Sequence, residues 1–439
     1  METPGDTKNI FLCKQIYIKF VNQFKTTTMK SSNIPLYSSL PGKRIVSLDV
    51  LRGMAVLGIL IMNIQSFSMI GAAYINPTAY GDLSGMNKWV WILSHIIANE
   101  KFMSIFSILF GAGVILFTER AIDKSRKPAA LHYRRMFWLL IFGLVHAYLI
   151  WYGDILVNYS LCGMLVFLFR KIAPNKLVLF ATLFFIVPII FSLASGLTIQ
   201  YWPEESYNQN LQSWLPDAVK VTHEIAGMQG NWIEQMSIRV PGAIFMETFL
   251  FFWMSFWRVT SMMLLGMALY KWGVLSARRS ELFYLRMTLI GLTAGYGIVG
   301  IGVYENFVHE WSMEFSMFFG NQFNYIGSIL VTFGYIGLVM LICKSENFLK
   351  LKRLFSSVGR MAFTNYILMS LIAMFIFYGN GFGLFGQVER SGQILIVFAT
   401  WILILIISPL WLNNFQYGPL EWIWRGLTYW RKQPLKKDN

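Results

Sequence analysis

Long stretches of the chain hold almost nothing but apolar residues, separated by short segments where polar and basic residues collect. Ten such runs fall at about 45–70, 101–118, 136–153, 155–170, 177–198, 243–270, 284–304, 318–343, 358–378 and 393–412. Each is near the roughly 20 residues that carry a helix across the hydrocarbon core of a bilayer. In lipid, a segment of that kind must satisfy its own backbone N–H and C=O groups, which a helix does. The pattern therefore predicts an all-α, polytopic integral membrane bundle of about ten transmembrane helices over residues 45–412. A polar and basic extension, 1–44, precedes it, and an amphipathic segment, 413–439, follows. The extension has one amphipathic patch, "IFLCKQIYIKF", too short and too charged for the apolar core of a signal peptide. A surface helix or disorder is expected there, and Met29 offers a start besides Met1.

Composition agrees with the pattern: of 439 residues, 56% are hydrophobic and only 13% charged, too little polar surface for a soluble protein of this size. The formal charge of +15 does not imply nucleic acid, because the basic residues form no single surface interleaved with stacking aromatics. They sort by side instead. With the N-terminus in the cytoplasm and each span reversing the side, cytoplasmic segments hold most of the Lys and Arg. The opposite side holds only Lys88, Lys101, Lys220, Arg239 and Arg390. Every loop obeys the positive-inside rule, so both termini are expected in the cytoplasm. Cys13, Cys162 and Cys343 are too few and scattered for a disulfide framework, and no Cys/His spacing suggests a metal site.

The longest external segment, 199–242, is acidic and contains Pro203, Pro216 and Pro241. It is expected to be a partly helical solvated loop or a lid over an outer cavity. Pro188 and Pro241 mark kinks near the ends of the fifth and sixth runs.

Polar residues inside the apolar runs are the candidates for chemistry, since a charge in the bilayer is costly unless it faces the bundle interior. In "SLDVLRGMAVLGILIMN", Asp49, Arg52 and Asn63 fall on one helical face. Asp49 and Arg52, three residues apart, either neutralise each other or line a cytoplasmic mouth that meets an anion such as phosphate. His146 is the single histidine within a predicted span and the best candidate for proton transfer. Asp154, the second candidate catalytic residue, lies eight residues on, roughly 12 Å away along a straight helix, so direct contact is not expected; its plainer role is to cap the fourth helix. Lys101, at the same external level, is a candidate to neutralise Asp154. Glu247 and Arg258 share a face of the sixth run but are too far apart to pair, so Arg258 needs a partner from another helix or a wet cavity. Arg360 and Asn365 open the ninth run, and Glu421 and Arg425 lie among the tryptophans of "YGPLEWIWRGLTYW", an interfacial helix.

The blocks "RIVSLDVLRGMAVLGILIMNI", "KFMSIFSILFGAGVILFTER", "GLVHAYLIWYGDIL", "GRMAFTNYILMSL…FYGNGFGLFG" and "YGPLEWIWRGLTYW" run in order from about residue 44 to 431. Together they resemble the YeiB-type bacterial membrane proteins, domain-of-unknown-function family 418. That family is similar in outline to a wider group of transmembrane acyltransferases with an LD-x-x-RG-type first helix, matched here at Asp49, Arg52 and Gly53. The resemblance implies transfer of an acyl group from a cytoplasmic donor, with acyl-CoA as co-substrate and no tightly bound cofactor. The acceptor would be a hydroxyl or amine on a small molecule, lipid or glycan. On that reading Arg52 holds a donor phosphate and His146 deprotonates the acceptor. Asp49, Asn63, Lys101, Glu247, Arg258, Arg360, Asn365, Glu421 and Arg425 are candidate substrate contacts. A small-molecule transporter that uses the same buried charges, and a non-catalytic scaffold in which they fix helix register, remain the alternatives. Membrane lipids are the expected surroundings, and self-association is left open.

Overall fold

The computed structural model describes residues 44–437, so the N-terminal amphipathic patch and Met29 lie outside the described residues. It is 79% helical with no strand among the described residues. The chain begins with α1 (Val46–Ser68), α2 (Gly71–Ile75), α3 (Gly85–Ala98), α4 (Lys101–Asp123), α5 (Pro128–Leu149), α6 (Leu156–Val166) and α7 (Pro174–Thr198). Three shorter helices, α8 (Glu204–Trp214), α9 (Ala218–Gln229) and α10 (Met236–Glu247), follow. The remainder is α11 (Phe256–Lys271), α12 (Glu281–Val308), α13 (Asn321–Lys344), α14 (Leu349–Arg360), α15 (Ala362–Phe377), α16 (Arg390–Asn414) and α17 (Pro419–Tyr429).

Seven helical stretches are long and apolar enough to cross a membrane, and the pair α14–α15, bent by 79°, makes an eighth if it counts as one span. The two other apolar runs, 136–153 and 155–170, fall on α5 and α6. Helix α5 has 22 residues but carries His132, Arg134 and Arg135 in its first half; α6 has 11, extended to Lys171 by a 3₁₀ turn. They pack as a hairpin, enclosed enough to bury Leu139, Gly143, His146 and Tyr159.

The helices differ in what they face. In the most apolar window of α1, 83% lies inside the protein, against 17% for the stretch built on α7 and 22% for α16. Helix α1 is therefore the axis of the bundle, whereas α7 and α16 present their Leu, Ile and Phe outward as lipid would require. A central helix can carry polar groups because its neighbours supply partners, which accounts for the polar stripe of α1.

Segment 199–242, expected to lie outside, is no loose loop. Trp214 is buried and its Nε1 donates to the Trp311 carbonyl (2.8 Å), Gln229 Nε2 donates to the Phe385 carbonyl (2.7 Å), and Trp232 Nε1 donates to the Leu149 carbonyl (3.1 Å). Its residues thereby dock over the C-terminal end of α5. Pro188 and Pro241 both lie inside continuous helices. The break in this region falls instead after Glu247, where 251–255 winds as a π-helix.

Candidate functional site

The end of α5 decides the chemistry. The Ile150 and Trp151 amides both return to the His146 carbonyl (3.0 and 2.8 Å), closing the helix, and the chain reverses before α6 begins. Asp154 is thereby folded back onto the helix it follows. The straight-rod separation expected from sequence does not hold: His146 Nδ1 lies 2.8 Å from Asp154 Oδ1. The second carboxylate oxygen accepts the Val157 amide at 2.7 Å, so Asp154 also caps α6. Gly143 makes the fit possible. A Cβ there would stand 2.6 Å from the Val157 amide nitrogen and 3.1 Å from Asp154 Oδ2, leaving no room for any side chain.

On the far side of the ring, His146 Nε2 lies 2.9 Å from the Ser370 hydroxyl on α15. With the carboxylate accepting at Nδ1 and a neutral imidazole, Nε2 is the ring's acceptor and faces the Ser370 hydroxyl, which also lies within donating distance of the Tyr366 carbonyl (3.2 Å). Asp154, His146 and Ser370 thus form an orienter–base–hydroxyl triad. All three are buried, with exposures of 5%, 1% and 2%. The Tyr366 and Trp151 rings flank the imidazole at centroid distances of 5.0 and 6.2 Å. Glu247 accepts a hydrogen bond from Tyr148 (3.1 Å) and lies close enough to Asp154 for their charges to interact. Ser370 was not singled out from the sequence; a hydroxyl within "NYILMSLIAMF" looks like any membrane serine until the fold places it against an imidazole.

Lys101 does not neutralise Asp154. It is fully buried elsewhere and donates to the His95 carbonyl (2.9 Å) and to Asn324 Oδ1 (2.6 Å). The neighbouring Glu100 supplies the partner that Arg258 requires, with Nη2 at 3.2 Å from Oε2. Arg258 also donates to Ser104 and Ser328 and to the Tyr325 carbonyl, and its guanidinium lies 4.5 Å over the Tyr325 ring. Glu100 holds this position with a φ of 65°, a left-handed conformation unusual for a residue with a Cβ.

The remaining candidates gather where α1, α14, α15 and α17 meet. Asp49 is buried between Arg44 and Arg52 and accepts from both, with Arg52 Nη1 at 3.1 Å. The local ion pair is therefore formed, and Arg52 stays about a third exposed at 31%. Gly53 belongs to the same motif for a different reason. A Cβ on it would lie 2.0 Å from the Phe355 carbonyl oxygen, and one on Gly359 would lie 1.9 Å from the Asp49 carbonyl oxygen, so α1 and α14 touch backbone to backbone. Arg360 donates to the Gln416 carbonyl (3.1 Å), and Asn365 donates to the Val358 carbonyl (3.1 Å) and to Ser408 (3.0 Å). Glu421 accepts from the Phe363 and Thr364 amides (2.7 and 3.1 Å), capping α15 from another helix. Burial pushes its carboxyl above the ordinary value, while the bonds from Thr364 and the backbone pull it down. Arg425 stacks over Tyr417 at 4.6 Å. Asn63 is half-buried, eleven residues beyond Arg52 and so roughly 16 Å along α1. The sequence candidates thus separate into the triad, the Glu100–Arg258 cluster and the α15 end.

Residues 269–431 match the family described as "Protein of unknown function (DUF418)". The chain is 31% identical to the uncharacterized protein YeiB of Escherichia coli (strain K12) over 396 residues, 88% of this chain and 96% of that protein. It is 33% identical to the uncharacterized protein YxaH of Bacillus subtilis (strain 168) over 429 residues, 92% of this chain and 99% of that one. A 39.9 kDa protein from the amylase 3′ region of Bacillus acidopullulyticus is 28% identical over 399 residues, 90% and 97% of the respective chains. The first two of these matches take in about nine-tenths of this chain and nearly the whole of each relative. The chain belongs to the DUF418, YeiB-type family of polytopic helical membrane proteins.

Proposed function

We propose that the protein is a multi-pass acyltransferase of the bacterial cytoplasmic membrane, with both termini in the cytoplasm. It moves an acyl group from a cytoplasmic thioester such as acyl-CoA to a hydroxyl or amine of a lipid or glycan acceptor. The observation that carries the reading is the Asp154–His146–Ser370 triad, a base held in one tautomer and bonded to a hydroxyl. In the first half-reaction Ser370 Oγ attacks the thioester carbonyl carbon as its proton passes to His146 Nε2. The carbon–sulfur bond then breaks and the departing thiolate takes that proton. In the second half-reaction the acceptor hydroxyl or amine attacks the Ser370 ester, its proton passing through His146 back to Ser370 Oγ. Asp154 holds the ring and stabilises the transient imidazolium. The triad is out of contact with water at rest, so the donor's acyl chain must open a path between α5, α6 and α15. A buried ester is thereby protected from hydrolysis until the acceptor arrives.

Transport would need the buried charges to line one path, whereas Glu100, Lys101 and Arg258 are taken up in a cluster of their own. The test is to mix purified protein with acyl-CoA, quench, and look by mass spectrometry for the acyl mass on the peptide holding Ser370. The adduct is expected in the wild type and absent from His146→Ala. If Ser370→Ala turns over while His146→Ala does not, His146 acts directly on the acceptor and Ser370 only occupies the acceptor's place. Turnover by both variants at the wild-type rate overturns the proposal.

A further inference from the structure

The turn between α4 and α5 and the end of α17 enclose a cavity of about 420 Å³. Six cations line it: Lys124, Arg126, Lys127, Arg134, Arg425 and Arg431. No carboxylate is among its lining residues, and none of the six is ion-paired among the described residues. Helix α5, 22 residues long, begins at its wall with Lys127 as N-cap and Pro128 next, and no side chain caps the first-turn amides. The positive end of the helix dipole thus adds to the side-chain charge. The Nε of Arg134 is buried and without a hydrogen-bond partner.

Sorting of charge by membrane side accounts for basic residues on this face, but not for their convergence on one hollow. Nor does it account for how they are held. Arg126 lies 4.9 Å over the Tyr429 ring, Arg134 lies 5.1 Å over Trp430 and Arg425 lies 5.7 Å over Tyr429. Aromatic faces fix each guanidinium by its plane while leaving its N–H edge free, the edge that pairs with phosphate oxygens. Six like charges in one concavity repel one another, and an occupant carrying two or more negative charges removes that repulsion.

We infer that this cavity is a binding site for a phosphate-bearing anion, which enters from the face that carries the α4–α5 turn. Two sources share this chemistry: a soluble pyrophosphate or nucleotide compound, such as the head of a thioester donor, and an anionic phospholipid headgroup. The site adds to the acyl-transfer reading and does not depend on it, because it rests on different residues and helices. Arg52, with Asp49 against it, is then relieved of the phosphate role that its motif suggested.

The test uses full-length protein in nanodiscs of phosphatidylcholine alone, titrated with coenzyme A and with inorganic pyrophosphate, and in a second arm in nanodiscs containing phosphatidylglycerol, followed by native mass spectrometry. The triple variant Arg126→Gln/Lys127→Gln/Arg431→Gln is compared with a control, Lys350→Gln/Arg353→Gln, that removes exposed charge from α14. Affinity for the soluble probes is expected to fall at least about tenfold in the triple variant and by less than about twofold in the control. Binding of the soluble probes in neutral discs assigns a soluble phosphate compound. Retention of phosphatidylglycerol alone, lost in the triple variant, assigns a lipid headgroup. Equal binding of all three probes by wild type and triple variant overturns the inference. If the triple variant does not fold, wild-type binding that is indifferent to ionic strength does the same. His146→Ala should bind the probes as the wild type does, so failure of the triad reading appears in turnover and not here.

Discussion

Two of the sets of ionisable groups that the protein buries inside its bundle are built on opposite plans. Around Arg258, donors and acceptors are matched: Glu100, Ser104, Ser328 and the Tyr325 carbonyl take up the guanidinium, and Asn324 bridges Glu100 to Lys101. Such a cluster locks α3, α4, α11 and α13 in register and has no capacity left for a substrate. At His146 the arrangement is linear. A carboxylate orients one ring nitrogen, and the other faces a hydroxyl that can lose its proton. The comparison teaches that burial of charge alone does not mark a reactive site in a membrane bundle. What marks it is whether the last group in the network can change its protonation without leaving a bare charge behind.

Breaking the linear network should have the largest effect. Asp154→Asn can present an N–H to Nδ1, which moves the ring proton to Nε2 and removes the acceptor that Ser370 needs. Acyl transfer should fall by roughly 10²–10⁴-fold, measured as coenzyme A release, with the protein still folded. A variant at half the wild-type rate would reduce Asp154 to a helix cap. The matched network should respond in stability and not in chemistry. Arg258→Met strips Glu100 of its counter-charge and should cost about 3–5 kcal/mol in reversible unfolding in detergent; adding Glu100→Gln should restore much of that. No recovery in the double variant would mean that the pair does not act as a unit.

Gly359→Ala sharpens the comparison from the side of packing. It would press α14 off α1 at the Asp49 carbonyl and should cost about 1–3 kcal/mol, read as a lowered melting temperature, while leaving the triad intact. The smallest effect belongs to Glu421→Gln, which keeps an acceptor for the α15 amides but cannot ionise. Because the carboxyl is pushed up in the folded protein, its stabilisation is fully present below the ordinary carboxylate range and is lost as pH rises through the raised value. The stability of wild type relative to Glu421→Gln should therefore decline with rising pH across that window. A difference that grows instead would mean that the hydrogen bonds outweigh burial.

Much of the fold was legible because apolar run length speaks directly to a bilayer. Eight of the ten runs lie on stretches that satisfy the membrane-span criteria, counting the bent α14–α15 pair. Helix α3 was not legible: "GMNKWVWILSHIIA" is too short to span alone and reads as part of a loop, whereas in the fold it runs on into α4 as one stretch, Gly85–Asp123. The site was half legible. His146 stands out as an imidazole in an apolar run, and Asp154 as a carboxylate near its end. Their contact depends on a chain reversal after Leu149 that no periodicity reports, and on Gly143, whose absent side chain leaves the space. The sequence predicts a shared level for Lys101 and Asp154, but level says nothing about azimuth, and Lys101 donates to Asn324 instead. Glu100 carries no signal of its own in the sequence: only the packing of α4 against α11 and α13 brings it to Arg258.

The most direct measurement compares coenzyme A release from acyl-CoA by purified wild-type protein and by His146→Ala at matched concentration in the same lipid. Loss of at least about a hundredfold, with the melting temperature of the variant within a few degrees of wild type, is the predicted result. Equal rates would contradict the account, leaving the triad as a buried fastening between α5, α6 and α15.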